Sequence, residues 1–111
     1  MIFLKICITS TGNNTESLVE KNFGRAPYLA VYDTVSEEFT FLENKNMNLS
    51  GGVGPKTAQM VIDSQAEVLI TGMIGDNAKN VIDAAKIRII KTGTDKSVKV
   101  AASEFESENS A

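Results

Sequence analysis

Residues 2–9, IFLKICIT, carry apolar side chains on both parities with Lys5 as the one interruption. A strand with that pattern has no face to offer to water, so it must be central in its sheet and covered above and below. At 111 residues the chain is of single-domain size and can bury roughly two-thirds of its unfolded surface, enough for a core without disulfides.

The remaining patterns say what covers that strand. YLAVYD (28–33) and EFTFLE (38–43) are β-rich runs separated by the polar TVSE, which reads as a hairpin. GGVGP then precedes KTAQMVIDSQA, where Ala58, Val61, Ile62 and Gln65 or Ala66 recur at helical spacing and Pro55 suits a first turn. EVLITG reads as a buried strand, and DNAKNVIDAAK as a helix with Ala78, Val81, Ile82 and Ala85 on one side. IRIIKTG reads as a further buried strand, and TDKSVKVAASEF as a last helix, capped by Thr94, with Val98, Ala101, Ala102 and Phe105 in register. The acidic, serine-containing tail after Phe105 is expected to be disordered.

The order β-β-β-α-β-α-β-α has a geometric consequence. With the hairpin beside strand one, strand two runs antiparallel, and right-handed crossovers make the last two strands parallel to the first. Five segments then meet at one sheet edge: TSTG (9–12), NFGRAP (22–27), GGVGP (51–55), TGMIGDNA (71–78) and KTGT (91–94). All eight glycines of the protein lie in them. Ligands of open α/β sheets sit at this edge, although glycine also marks turns wherever strands end.

Composition removes much chemistry. There is no histidine, so no Ser-His-Asp or Cys-His pair and no imidazole ligand can be written. Cys7 is alone, which excludes a disulfide framework and a site built from several thiolates of the chain, and its mid-strand place reads as a small buried hydrophobe. The net charge of −3 comes from Glu104, Glu106 and Glu108, with the rest balanced, which is no nucleic-acid footprint. The opening MIFLKICI has no basic leader, and no apolar stretch is of spanning length, so a cytoplasmic protein with no membrane contact is expected. No surplus of exposed apolar residues demands a dimer, and a monomer is expected.

At the glycine edge, Gly51-Gly52-Val53-Gly54-Pro55 opens a helix, where bare N–H groups and the helix dipole suit an anion. It is not a P-loop, since no Gly-Lys-Ser/Thr follows. Gly72 to Ala78 is a second glycine-flanked helix start, with Asp76 or Asn77 as a plain N-cap or a ligand contact. Arg25, between Gly24 and a proline turn, is either a fixed cation for a ligand or one half of a surface ion pair. Thr9, Ser10 and Thr11 offer hydroxyls to an anion or cap the turn.

The Asn-Phe-Gly-Arg-Ala-Pro-Tyr segment, the Gly-Gly-Val-Gly helix start, Ile-Thr-Gly-Met-Ile-Gly-Asp-Asn-Ala and Ile-Arg-Ile-Ile-Lys-Thr-Gly occur in this order. Together they resemble the dinitrogenase iron-molybdenum cofactor biosynthesis family of small NifX/NafY-type domains, over about residues 2–105. A single domain is expected over 1–105 and, from its composition, a disordered tail at 106–111; the resemblance implies a ribonuclease H-like three-layer α/β/α fold whose sheet order is 3-2-1-4-5 with strand two antiparallel. It implies a non-catalytic binding or carrier role for an iron-sulfur or iron-molybdenum cluster precursor, with a cluster-assembly or acceptor protein as partner. Where relatives often carry histidine before Phe-Gly-Arg-Ala this chain has Asn22, and where many have proline before Asn77 it has Asp76. Direct protein ligation of iron is therefore poorly provided for.

A preassembled anionic cluster would be held instead by N–H donors and Arg25. The residues expected to form that site are Thr9, Gly24, Arg25, Gly51, Gly52, Gly54, Gly72, Gly75 and Asn77. A phosphate- or nucleotide-binding regulatory module would use the same loops and is the alternative. A metal-dependent nuclease is disfavoured because strand one has no acid, Asp33 lies at the far edge and Asp76 stands alone.

Overall fold

Strand β1 (Lys5–Ser10) pairs antiparallel with β2 (Tyr28–Asp33) on one side and parallel with β4 (Val68–Thr71) on the other. With β3 (Glu38–Glu43) beyond β2 and β5 (Arg88–Lys91) beyond β4, the sheet of this computed structural model, which describes residues 4–109, has the order 3-2-1-4-5. Ile2 and Phe3 of the expected first strand lie outside the described residues. The central strand is covered as its composition requires. Ile6 and Ile8 pack with Val98, Ala101, Ala102 and Phe105 of helix α3 (Val98–Asn109), while Cys7 packs on the opposite face. There Ala58 and Val61 of α1 (Val53–Asp63) and Ala78 and Ile82 of α2 (Asp76–Ala84) form the third layer. Each fully buried aliphatic side chain in these two clusters stabilises the fold by about 1.5–3 kcal/mol. The arrangement is the expected three-layer α/β/α one and is compatible with the ribonuclease H-like label.

Several sequence expectations need correction. β5 is half exposed rather than buried, because it is the edge strand and has a partner on one side only. α1 begins earlier, at Val53, and ends at Asp63, so Gln65 is outside it. Gln65 takes φ +65, as does the equivalent Lys86 after α2 (φ +61), and both close the helix where glycine is usual. The hairpin turn is held by the Asp33 carboxylate, which accepts the N–H groups of Val35 (2.8 Å) and Ser36 (3.2 Å); these bonds hold its pKa below the usual carboxylate value.

The start of α3 is the clearest difference. Its cap is Ser97, whose Oγ accepts the Val100 N–H at 3.1 Å, and not Thr94. Residues before it are used in pairing: Leu18 bridges to Ser97, and Val19 N–H donates to the Lys96 carbonyl at 3.0 Å. Val98 and Lys99 N–H groups donate to the carbonyls of Ser17 (2.8 Å) and Thr15 (3.2 Å), so this helix start is satisfied by the chain. The helix also runs through Asn109, so residues 106–109 of the expected disordered tail are helical. The physical reason is lateral support: the Tyr32 hydroxyl donates to the Glu106 carboxylate at 3.0 Å, and Lys96 pairs with Glu104 at 2.6 Å.

The segment between β1 and β2 is stitched along the edge of the sheet. Asn22 bridges in parallel to Met73, the Phe23 N–H donates to the Met73 carbonyl, and Gly72 lies directly on the Lys21 backbone. A Cβ at Gly72 would stand 2.4 Å from the Lys21 carbonyl oxygen, a contact with backbone that cannot rotate away. Gly72→Ala is therefore expected to lower stability by about 1–3 kcal/mol, measured as a reduced urea midpoint with an unchanged slope.

Candidate functional site

The register of the strands brings Ser10, Tyr28, Glu43, Thr71 and Lys91 to one edge of the sheet, and every connection carrying glycine leaves from there. Two of those glycines are inside short helical turns rather than loops: Gly24 in the single 3-10 turn Phe23–Arg25, and Gly54 in the first turn of α1.

Close packing of these turns makes a cleft of about 310 Å³ between the starts of α1 and α2. A Cβ at Gly24 would lie 3.1 Å from Val53 Cγ1, and one at Gly54 would lie 3.1 Å from Ala78 Cβ. The glycines thus let three segments approach more closely than side chains would allow. Gly52 has φ +71, a left-handed conformation that turns the chain into α1 and favours glycine.

Neither helix start at the cleft has a side-chain cap. The residues at the two cap positions are Gly52 and Gly75, and the first intrahelical bonds are those of Lys56 N–H to the Gly52 carbonyl (3.1 Å) and Lys79 N–H to the Gly75 carbonyl (2.9 Å). The N–H groups ahead of them, on Val53 and Gly54 and on Asp76, Asn77 and Ala78, have no intrahelical acceptor by the geometry of a helix end. Two positive dipole ends therefore face one cleft. Asp76 is the first helical residue and not the cap, and it lines the cleft.

The expected site residues divide clearly. Gly24, Gly52, Gly54, Gly75 and Asn77 line the cleft together. Gly51 is exposed one residue outside it, with open space around it. Gly72 is buried against Lys21 and serves the fold. Thr9 is fully buried; its hydroxyl donates to the Glu20 carbonyl (3.1 Å) and pairs with the Thr71 hydroxyl (2.9 Å). Arg25 is exposed beside Gly24, and its guanidinium donates to the Met47 carbonyl rather than to a carboxylate. The loop that supplies Met47 is anchored by Asn44, a buried amide that donates to the Ala26 carbonyl (2.9 Å) and Thr57 hydroxyl (3.2 Å).

Phe23, Val53, Pro55, Asp76 and Ala78 also line the cleft. Lys56 is a cation that the sequence reading passed over: its Cε lies 3.9 Å from where a Cβ on Gly52 would be. Its spacing from Gly52, one helical turn, was the available signal. Cys7 is shut off from the edge, fully buried mid-sheet, and burial pushes its thiol up to about 12. Among the described residues no group of three His, Cys, Asp or Glu side chains is placed to hold a metal ion, so the donor set at this edge is N–H groups and cations.

The family model for the dinitrogenase iron-molybdenum cofactor matches residues 4–108. The chain belongs to this family. Among solved structures it is similar to the apo form of the orange protein from Desulfovibrio gigas, with 30% identity and a TM-score of 0.91, over 96% of this chain and 90% of that one. It is also similar to a candidate NifB protein from Thermotoga, of the DUF35 family, with 31% identity and a TM-score of 0.82 over 96% and 89% of the two chains. A candidate dinitrogenase from Methanocaldococcus jannaschii shares the fold at 15% identity, with a TM-score of 0.67 over 97% and 92%. No curated protein matches the chain. No helix among the described residues is long and apolar enough to cross a membrane.

In this member of the iron-molybdenum cofactor family, the backbone at Gly75 (φ −75, ψ 162) already has the extended conformation of an N-cap, and a Cβ there meets nothing within 4 Å. Gly75→Ser should raise stability by a few tenths of a kcal/mol, seen as a higher urea midpoint. The new hydroxyl would occupy α2 N–H donors, so the same variant should bind an anion in the cleft more weakly than the parent.

Proposed function

We propose that the protein is a non-catalytic carrier for an anionic, preassembled iron-sulfur or iron-molybdenum cluster precursor, held in the cleft between the starts of α1 and α2. The observation that carries this reading is the convergence of two helix starts without side-chain caps on one glycine-lined cleft. Family membership supports it, since the family's description concerns the dinitrogenase iron-molybdenum cofactor. The orange protein, whose apo form is the solved structure, supports a carrier that exists without its cargo.

The chemistry of the donors defines the cargo. Backbone N–H groups and ammonium or guanidinium groups donate hydrogen bonds to sulfide or oxide ligands but do not replace them. The cluster must therefore arrive with its own ligand shell complete, and leave with it. Lys56 contributes positive charge beside Gly52. Arg25 follows the lining residue Gly24 and lies outside the lining itself, with a neutral carbonyl as a partner that it can exchange for an anion. Asp76 opposes the same cargo and limits affinity, a useful property in a protein that must release what it holds. A cluster-assembly or acceptor protein would be the source or destination.

A phosphate group fits the same donors. A nucleotide fits less well: the one aromatic side chain in the lining is Phe23, which is buried, so a base would have no platform. Catalysis is not part of the reading, because Asp33 is committed to the hairpin turn at the opposite edge and Asp76 has no acidic partner in the cleft.

Titration with an anaerobically prepared iron-sulfur cluster, followed by absorption, tests the proposal. Asp76→Asn should tighten binding about two- to fivefold, and Lys56→Ala and Arg25→Ala should each weaken it by a similar factor that shrinks with added salt. Cys7→Ser should lower stability and leave affinity unchanged. Loss of binding in a folded Cys7→Ser protein, with Lys56→Ala and Arg25→Ala unaffected, would replace the cradle by thiolate ligation.

A further inference from the structure

Of the buried polar residues among those described, Asn44 alone carries an amide; Thr9, Ser10, Thr57 and Thr71 carry hydroxyls. An amide shut off from water is costly unless each of its hydrogen-bonding groups finds a partner. Here each does. Asn44 Nδ2 donates to the Ala26 carbonyl at 2.9 Å and to the Thr57 hydroxyl at 3.2 Å, with the Gly24 carbonyl as a longer third acceptor at 3.5 Å. Its Oδ1 accepts the Asn46 N–H at 3.1 Å. A flipped amide would set oxygen against two carbonyls and nitrogen against an N–H, so the orientation is fixed by partners that can only accept or only donate.

These partners belong to different segments. Asn44 follows β3 and extends its ladder by one rung, its N–H donating to the Pro27 carbonyl at 2.8 Å. Ala26 closes the 3-10 turn that carries Gly24, and Thr57 stands in α1 one helical turn beyond Val53. Both ends of this link are a step from the cleft. Gly24 lines it from the turn, and Val53 and Gly54 line it from α1. Asn44 is outside the lining and joins the two from behind. Because the donor fork of an amide is planar, it fixes the spacing between an acceptor on the turn and one on the helix, where apolar contact alone would let them slide. The acceptor side of the same group orders the loop. Asn46, held by Oδ1, donates through Nδ2 to Met60 Sδ at 3.5 Å, and the next residue supplies the carbonyl that Arg25 uses.

We propose that Asn44 is a positioning residue for the cleft, its amide clamping the 3-10 turn to α1 so that the Gly24 wall stands at a fixed distance from the α1 donors. What the cleft holds rests on the carrier reading above; the clamp is a property of the unliganded protein.

Four variants separate positioning from stability. Thr57→Val removes the α1 end of the clamp at nearly constant shape, and Thr57→Ser keeps the hydroxyl. Asn44→Asp keeps Oδ1 for Asn46 and loses both N–H donors. Val98→Ala opens a cavity on the opposite face of the sheet, lowering stability away from the cleft. In titrations with the anaerobically prepared iron-sulfur cluster, Thr57→Val and Asn44→Asp should each weaken binding about tenfold, the scale for a residue that acts through others. Thr57→Ser and Val98→Ala should stay within about twofold of the parent. In the unliganded proteins, the Ala26 N–H should exchange with solvent faster in Thr57→Val than in Thr57→Ser or Val98→Ala, a sign of local opening of the turn.

Binding by Thr57→Val equal to the parent's, or a loss in Val98→Ala as large as that in Thr57→Val, would overturn the proposal. A parent protein that takes up no cluster would sink the carrier reading instead. Exchange at Ala26 then decides the clamp, and an unchanged rate in Thr57→Val would refute it.

Discussion

The two-sided pairing and two-sided burial of β1 set the terms for everything else. A strand with hydrogen-bonded neighbours on both flanks and helices on both faces fixes the direction of β2 and β4, and through them the edge to which each connection returns. The candidate site follows from that constraint. Three connections arrive side by side at one edge, and the cleft forms where they are forced together. Had β4 been antiparallel to β1, the starts of α1 and α2 would lie at opposite ends of the sheet.

Close approach at that edge is a property of glycine, but the glycines do different work. Gly24 and Gly54 remove the side chains that would separate the 3-10 turn, α1 and α2, while Gly72 lets the Lys21 backbone lie on β4's extension. Gly52 supplies a left-handed turn. Gly75 has neither a positive φ nor a crowded Cβ, so neither space nor backbone strain requires it there. Its effect is to leave the α2 donors open. Capping residues were available to this chain, since α3 has Ser97 and the loop carbonyls of Ser17 and Thr15. The contrast between a satisfied helix start and two open ones directs attention to the cleft.

Electrostatics at the edge is a balance rather than a simple attraction. Two dipole ends and Asp76 line the cleft, with Lys56 and Arg25 outside the lining, so an anion held there as proposed would be drawn by the donors and cations and opposed by the carboxylate. Fixed donors with one opposing carboxylate suit reversible holding. With no histidine in the chain and Cys7 buried, the proposed carrier would meet the outer ligands of its cargo and not its metal atoms.

While the sheet order came with the family resemblance, the amino-acid pattern alone determined the order of elements, the strand directions, the two-layer cover of β1 and the gathering of all eight glycines at one edge. These follow from periodicity and from the handedness of crossovers, which are local or topological rules. It also carried the motifs by which the chain resembles its family. Helix ends and the tail depended on tertiary partners: Ser97 rather than Thr94 caps α3 because residues before it pair with the segment at 17–19, and α3 continues through Asn109 with Tyr32 and Lys96 binding its acidic face. The site was legible as a set of loops but not as a set of contacts. Sequence treats Thr9, Gly72, Gly75 and Arg25 alike as polar or glycine residues at one edge. Three-dimensional packing buries the first two, opens the third and ties the fourth to Met47, because which backbone groups already have partners is decided by segments distant in the chain.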